Sequence, residues 1–491
     1  MYDGLQSPGR NDECWCGSGK KYKKCHLDFD ERLEELAEAG EEVPPRDLLK
    51  TPAEIEGIKR SAEVNIGVLD YVAERIAPGV TTEQIDQWVH DYTVEHGAIP
   101  APLADRMDVI TLISKRTDSN GKLPGEYGSE LEDLPVGEEG YSNPNPFCAD
   151  GPRQDEFLAE MRREVFEGRE GFLTVGEAPG VTAQRNEHIT DPGNGELDML
   201  FLFEHVDFDC EGTKWKPLPL DLPKFKSIMA GYQTAVQNAG WASLFTGNHD
   251  QPRVVSRWGD DSAEESRVRS AKALGLMLHM HRGTPYIYQG EELGMTDAHF
   301  TRLDQYRDLE SLNAYRQRVE EAKVQSSESM MAGLAARSRD NARTPMQWDG
   351  SGYAGFTAPD AATEPWISVN PNHAEINAAG EFDDPDSVYS FYKQLVALRH
   401  NSPVVAAGDW RLIDAADPHV YAFTRELDAE KLLVVVNMSS RTVDLPREAA
   451  ELTAVGIAEP NVVISTYDAP HTVASLANRE LDPWEAAVIQ L

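Results

Sequence analysis

The sequence predicts an α/β protein: a (β/α) barrel of the TIM type, followed by a C-terminal antiparallel β-sandwich and preceded by a zinc motif and a helical fragment. Three observations carry this. Between residues 104 and 404, short apolar segments that end in chemically capable residues ("RMDVITLI", "GFLTVGEAPG", "DMLFLFEHV", "WASLFTGNHD", "TPYIYQGEE") alternate with helix-like stretches such as "DEFLAEMRREVFEG" and "ESRVRSAKALGLMLHMH". Alternation of that kind, with polar residues at strand ends, marks a barrel whose site lies at the strands' C-terminal face. From 405 to 491 the helical pattern gives way to short strands such as "VYAFTRE" and "KLLVVVNM". Before 104 the chain has neither pattern.

The totals bound the rest. At 491 residues with 40% hydrophobic content there is room for several domains with real cores. A formal charge of −38 argues against nucleic acid and anionic membrane surfaces as partners. No apolar run is long enough to span a bilayer, and "MYDGLQSPGRNDE" lacks the pattern of a signal peptide. Cys14, Cys16 and Cys25 crowd together while Cys148 and Cys210 are scattered, which is not a secreted disulfide framework. A cytoplasmic location is expected.

Residues 1–45 read as a zinc motif with a linker. "CWCGSGKKYKKCH" places Cys14, Cys16, Cys25 and His26 in one turn-rich segment, a complete tetrahedral set for structural zinc. Gly17 and Gly19 would let the backbone wrap the ion; a cluster of free thiols is the alternative. A site with four protein ligands is closed to substrate, so its role would be structural or docking, with a protein partner. The charged stretch 30–45 reads as the linker. Residues 46–103 form the helical fragment: "TPAE" at 51–54 is a capping box with proline at the first helical position, and Ile55, Ile58, Ala62, Ile66 and Leu69 keep helical spacing. A second box at 81–84 opens a helix ending at Gly97. "DPGNGELD" at 191–198 reads as a turn before a strand rather than a calcium loop, and "EHVDFD" at 204–209 reads as structural.

Three resemblances follow from these motifs. The cysteine run resembles the SEC-C zinc motif. "LLKTPAEIEGIKRSAEVNIGVLDYVAERIAPGVTTEQID" and "VEHGAIPAP" resemble the start of a bacterial methionine aminopeptidase. That likeness stops before the metal-binding residues of that family, so aminopeptidase chemistry is not expected. From Arg106 onward, "RMDVI", "LTVGEAPGVT", "FTGNHDQPR", "GTPYIYQGEELGM" and "SRDNARTPMQWD" resemble, in family order, the α-glucosidases of glycoside hydrolase family 13, close to oligo-1,6-glucosidases.

The last resemblance implies a retaining glycosidase, in which two carboxyl groups about 5 Å apart flank the anomeric carbon. It makes Asp108 the nucleophile, with Arg106 beside it, and Glu177 the acid/base. Asp250 becomes the third carboxylate on the sugar hydroxyls, His249 a hydrogen-bond donor to the same sugar, and Arg343 a wall of the pocket. Taken alone, each acidic residue would read as a cap or a surface charge, and His249 as structural. Val109, after the nucleophile, leans toward α-1,6 linkages in small oligosaccharides. The family's earlier strands and its calcium loop are not recognised, so the expectation is an incomplete (β/α)8 TIM barrel, about strands four to eight, with open edges. No cofactor is expected for hydrolysis. The competing expectation is a non-catalytic fusion remnant that keeps a zinc-binding docking module.

Overall fold

The computed structural model describes residues 9–16, 18–38, 52–77, 80, 82–97, 114–125, 129–138, 143, 147, 149–168, 173–194, 196–237, 239–358, 364–454 and 461–491. The chain divides into two compact units, Met1–Arg106 and Met107–Leu491.

In the first unit a tight hairpin pairs Glu13 with Lys21, and a 3-10 turn at Tyr22–Lys24 leads into α1 (Leu27–Glu38). The stretch read as a linker from residue 30 is therefore helical to residue 38. The cause is Asp30, which is buried and accepts hydrogen bonds from Trp15 Nε1 at 2.9 Å and Tyr22 Oη at 2.6 Å. These bonds dock the helix on the cysteine loop. Helices α2 (Pro52–Ala73) and α3 (Thr82–Glu95) form where the capping patterns place them, although Thr51 and Thr81 lie outside the described residues. They meet where the Tyr71 and Tyr92 rings stand 5.0 Å apart. The predicted apolar stripe on α2 is present but uncovered: Ile58, Ile66 and Leu69 are 58%, 60% and 70% exposed.

The second unit opens with α4 (Gln154–Met161), β1 (Val175–Glu177), α5 (Ala183–Thr190), β2 (Met199–Phe201) and the single turn α6 (Glu204–Asp207). A hairpin of β3 (Cys210–Glu211) and β4 (Thr213–Pro217) follows, then α7 (Leu222–Ala235), β5 (Ser243–Leu244), α8 (Val254–Trp258), α9 (Glu264–His279) and β6 (Thr284–Pro285). β1 runs parallel to β2, Leu200 bridges in parallel to Ala242, and β5 runs parallel to β6. Among the described residues these four strands stand side by side in chain order, like staves of a barrel. The segment expected to carry the preceding strand, 106–110, lies outside the described residues. "EHVDFD" is structural as expected: Asp209 is buried, accepts from Arg257 Nη2 at 2.6 Å and Trp258 Nε1 at 2.9 Å, and lies 2.9 Å from Arg337 Nη2. "DPGNGELD" is a turn, closed by Gly193 N–H donating to Asp191 Oδ1 at 2.8 Å.

After α10 (Leu309–Tyr315), α11 (Ser327–Arg337), α12 (Val388–Asn401) and α13 (Pro403–Ala407), the chain turns to strands. These are β7 (Asp409–Ile413), β8 (Val420–Leu427), β9 (Glu430–Asn437) and β10 (Val443–Asp444). Then come α14 (Arg447–Ala454), β11 (Asn461–Ser465), α15 (Ala469–Asn478), β12 (Glu480–Leu481) and β13 (Ala486–Gln490). Five of the strands make one antiparallel sheet in the order β11-β13-β9-β8-β7. Its layering differs from the expected sandwich. One face, with Tyr421, Phe423, Val434 and Val488, belongs to the same core as Phe225, Leu274 and Leu395 of the barrel helices. The other, with Ala422, Val435 and Ile489, packs on Ala449 of α14, Leu476 of α15 and the small β10–β12 ladder. Both faces are covered, which is why "KLLVVVNM" reads as an unbroken apolar run rather than an alternating one.

Buried and half-buried polar side chains lock these layers together. Lys226 of α7 is fully buried and donates to the carbonyls of Asp414 at 3.0 Å, Asp417 at 2.7 Å and Val420 at 3.0 Å in the β7–β8 connection. Arg425 of β8 donates to Met280 O, Val405 O and Gly408 O at 2.6, 2.7 and 2.7 Å. Arg399 of α12 donates to the carbonyls of His279, His281 and Gly283. The orphan carbonyls at the end of α9 are satisfied in this way. Glu291 is a buried carboxyl between the strand ends and α12. Its Oε1 accepts from Thr246 Oγ1 at 3.1 Å and Tyr392 Oη at 3.3 Å, and burial pushes it up to about 7.

Replacing Lys226 by Met should destabilise the second unit by on the order of 3 kcal/mol, because three carbonyls lose their donor without gaining water; urea unfolding measures it, and a loss under 1 kcal/mol contradicts the anchor role. Glu291 supplies a pH test. A carboxyl raised in the folded state loses its contribution to stability as pH rises from its unfolded value through about 7. The stability of Glu291→Gln relative to the parent should therefore climb between about pH 5 and 8. Parallel pH profiles of the two proteins would contradict it.

Candidate active site

The C-terminal ends of the four parallel strands converge on a cavity of about 460 Å³. It is lined by Glu177 from β1, Phe201 and Phe203 after β2, Phe245, Asn248 and His249 after β5, and Tyr286 and Tyr288 after β6. The aromatic residues form its floor, with ring centroids of Phe201 4.5 Å from Tyr286 and 5.4 Å from Phe245. Glu177 is the last residue of its strand and half-buried. A carboxyl opening into an apolar, concave site of this size can exchange a proton with a bound molecule.

Asp250 follows His249 in the turn after β5, where its N–H donates to Asn248 Oδ1 at 2.8 Å. His249 is exposed, with Nε2 3.7 Å from Asp250 Oδ2. Arg343 joins these residues. Its Nε donates to His249 O at 2.9 Å and its Nη2 to Asp250 Oδ1. Arg339, one helical turn earlier, approaches the same oxygen at 3.4 Å and pairs with Asp308 at 2.7 Å and Glu310 at 3.2 Å. Burial works against the charge on Asp308, but the Arg339 guanidinium outweighs it and holds that carboxyl below its usual value. The predicted residues Glu177, His249, Asp250 and Arg343 are thus described, with Glu177 and His249 on one cavity and His249, Asp250 and Arg343 in one network. Asp108 and Arg106 lie outside the described residues. Arg339 and Asp308 were not anticipated. The signal for Arg339 was its place four residues before Arg343 in "SRDNARTP"; nothing local marks Asp308, which reaches the network only through the fold.

A second constellation stands in the first unit. The ligating atoms of Cys14, Cys16, Cys25 and His26 all lie within 4.8 Å of one another. Cys14 Sγ and Cys25 Sγ are each 3.3 Å from His26 Nδ1, and Cys16 Sγ is 3.6 Å from Cys25 Sγ. Gly19, at φ +66°, makes the turn between them in the left-handed region that glycine tolerates; Gly17 lies outside the described residues. Tetrahedral zinc with bonds of about 2.3 Å to sulfur and 2.0–2.1 Å to nitrogen separates its ligand atoms by roughly 3.5–3.8 Å, so the set has the right size for that ion.

Comparison with known proteins places this geometry. The alpha amylase catalytic domain matches residues 90–408, and the SEC-C motif matches residues 10–28. The oligo-1,6-glucosidase of Parageobacillus thermoglucosidasius is 43% identical over 393 residues, which is 79% of this chain and 65% of that protein. The trehalose-6-phosphate hydrolase of Bacillus subtilis is 44% identical over 68% of this chain and 55% of its own length. The crystal structure of Bacillus licheniformis trehalose-6-phosphate hydrolase superposes with a TM-score of 0.66 at 38% identity, over 83% of this chain and 68% of that one. The chain thus spans about two thirds, or less, of the length of these relatives. With a matched stretch that takes in Glu177, His249, Asp250 and Arg343 and the strands that carry them, the chain belongs to the alpha-amylase family, whose fold is a (β/α)8 barrel with a C-terminal sheet.

Proposed function

We propose that the chain is a retaining α-glucoside hydrolase acting on short, uncharged oligosaccharides with α-1,6 linkages. One observation supports this above others: Glu177 and His249 line a single aromatic-floored cavity at the strand ends, inside the stretch that matches the catalytic domain. In this reading Glu177 protonates the leaving oxygen and later draws a proton from water. Asp108, in "RMDVI", attacks the anomeric carbon, with Arg106 supporting its charge. Asp250 accepts sugar hydroxyls as the oxocarbenium-like transition state forms. His249 donates to the same ring, and Arg343 sets the orientation of Asp250. Val109 supports the α-1,6 preference.

The charge arrangement supports an uncharged substrate. Among the described residues, the cations around Asp250 and Asp308 are already matched. Arg339 pairs with Asp250, Asp308 and Glu310, Arg343 with Asp250 and Asp308, and Lys214 with Glu310 at 2.5 Å. A phosphorylated sugar held by Arg339, Arg343 or Lys214 would have to displace one of these carboxylates.

The N-terminal set would hold a structural zinc, a closed site suited to docking a protein partner. The domain plan is 1–45 zinc motif, 46–103 a fragment descended from a methionine aminopeptidase without its chemistry, 104–404 a barrel that lacks its first strands, and 405–491 the C-terminal sheet. Cys14, Cys16, Cys25 and Cys210 are not joined in disulfides, which fits a cytoplasmic enzyme; no helix among the described residues is long and apolar enough to cross a membrane.

The purified chain should release glucose from isomaltose and from an aryl α-glucoside. Glu177→Gln should lower kcat by about 10²–10⁴-fold, and Asp108→Asn should abolish turnover. Equal release by parent and Asp108→Asn would refute the assignment. A silent parent would favour the non-catalytic remnant, and faster cleavage of trehalose 6-phosphate than of isomaltose would refute the uncharged substrate. For the zinc module, cobalt-loaded protein should show thiolate-to-metal charge-transfer absorption that Cys16→Ser weakens; absence of that band removes the metal.

A further inference from the structure

We propose that Asp155, His188 and Glu196 form a second metal site, which takes a zinc-class divalent ion through two carboxylate oxygens and one imidazole nitrogen. Asp155 lies in α4, His188 in α5, and Glu196 in the turn before β2. Their ligating atoms lie within 4.8 Å of one another. His188 Nε2 stands 3.3 Å from Asp155 Oδ2 and 3.5 Å from Glu196 Oε1. A tetrahedral ion with bonds of about 2.0–2.2 Å to nitrogen and oxygen sets its ligand atoms roughly 3.3–3.6 Å apart. The imidazole nitrogen therefore stands at that spacing from both carboxylate oxygens, which lie within 4.8 Å of each other.

Glu196 points to a ligand independently. It is only 4% exposed, and its Oε2 has no hydrogen-bond partner. A buried carboxylate in that condition needs a proton or a cation. Burial pushes it up to about 7, with the charge of Asp155 adding to the rise. The surroundings carry the right deficit of charge. Arg185 donates from Nε to Asp150 at 3.0 Å and from Nη2 and Nη1 to Asp155 at 2.5 and 3.3 Å. The carboxyl groups of Asp150, Asp155 and Glu196 outnumber the Arg185 guanidinium that joins the first two, an excess of acid that a divalent ion offsets. Asp155 and His188 are both about half exposed at the side chain, so water completes the fourth position. Asn194 holds the far side of the ring, its Nδ2 3.1 Å from His188 Nδ1 and 2.6 Å from His188 O.

The ion would staple α4, α5 and the lead-in to β2 behind the strand that ends in Glu177. The proposal uses no residue of the sugar site and stands whether or not the chain hydrolyses glucosides. Cadmium NMR on the full chain tests it. Two resonances are expected, one in the thiolate range from the cysteine set and one in the oxygen/nitrogen range. Glu196→Gln and His188→Gln should each remove the second and leave the first, and zinc should raise the Tm of the parent more than that of either variant. If His188→Gln does not fold, the isosteric Glu196→Gln carries the test. A thiolate resonance alone, or an oxygen/nitrogen resonance that survives Glu196→Gln, overturns the site. An unchanged or raised Tm in Glu196→Gln without a second ion would show that the carboxyl is simply protonated, and overturns it equally.

Discussion

Three cations satisfied by backbone carbonyls, the buried Lys226 and Arg425 and the half-buried Arg399, are the constraint on which the second unit depends. A buried charge must find partners or unfold its surroundings. Carbonyls at helix ends and in tight connections are such partners, since they lack intrahelical donors. Each cation therefore satisfies itself by holding two elements in one place. Arg425 joins β8 to the end of α9 and to α13, Arg399 joins α12 to the lead-in of β6, and Lys226 joins α7 to the β7–β8 connection. The C-terminal sheet is thereby fixed on the helices that back the parallel strands.

Much of this was legible in the sequence, and the failures have causes. The parallel strands were visible because apolar runs ended in Glu177, the "GNHD" turn and "YQGEE". The last sheet was visible in its β-branched runs, but the run "KLLVVVNM" could not say what covered its second face. Helices α14 and α15 do so, where a second sheet was expected. The acidic stretch after residue 30 looked like a linker because charge density was the only local signal. The bonds that make it a helix come from Trp15 and Tyr22, more than one turn away. The stripe on α2 had the right period, yet periodicity states which face is apolar and not that anything covers it.

At the site, legibility followed sequence distance. Glu177, His249 and Asp250 sit at strand ends, where position alone reads as a cap or a surface charge, and the motifs around them are what singled them out. Arg343 and Arg339 come from a connection roughly ninety residues later, and Asp308 from another. The network they form sets two environments next to each other: an aromatic cavity on which Glu177 opens, and a guanidinium-bound carboxylate at Asp250. In the proposed hydrolysis, environments that differ in this way suit two acidic residues to different parts.

The strands that present these groups are short, with ladders of two or three residues, so ladder bonds alone cannot hold the site. The structure pins each strand at its other end instead. Before β1 and β2, Asp198 Oδ2 accepts from both Thr174 N and Thr174 Oγ1 at 2.7 Å. Before β5, Trp241 N–H donates to Thr190 Oγ1 at 3.1 Å, and its indole donates to Thr284 Oγ1 at 2.8 Å. Before β6, Gln233 exchanges two bonds with the backbone of Arg282, at 2.9 and 2.7 Å. Every tie falls at the N-terminal face, where a barrel keeps its stability, and leaves the C-terminal face for chemistry. A metal held by Asp155, His188 and Glu196 would belong to the same set of devices, because it would fix the two helices and the turn that flank β1 without touching the residue that β1 delivers to the cavity.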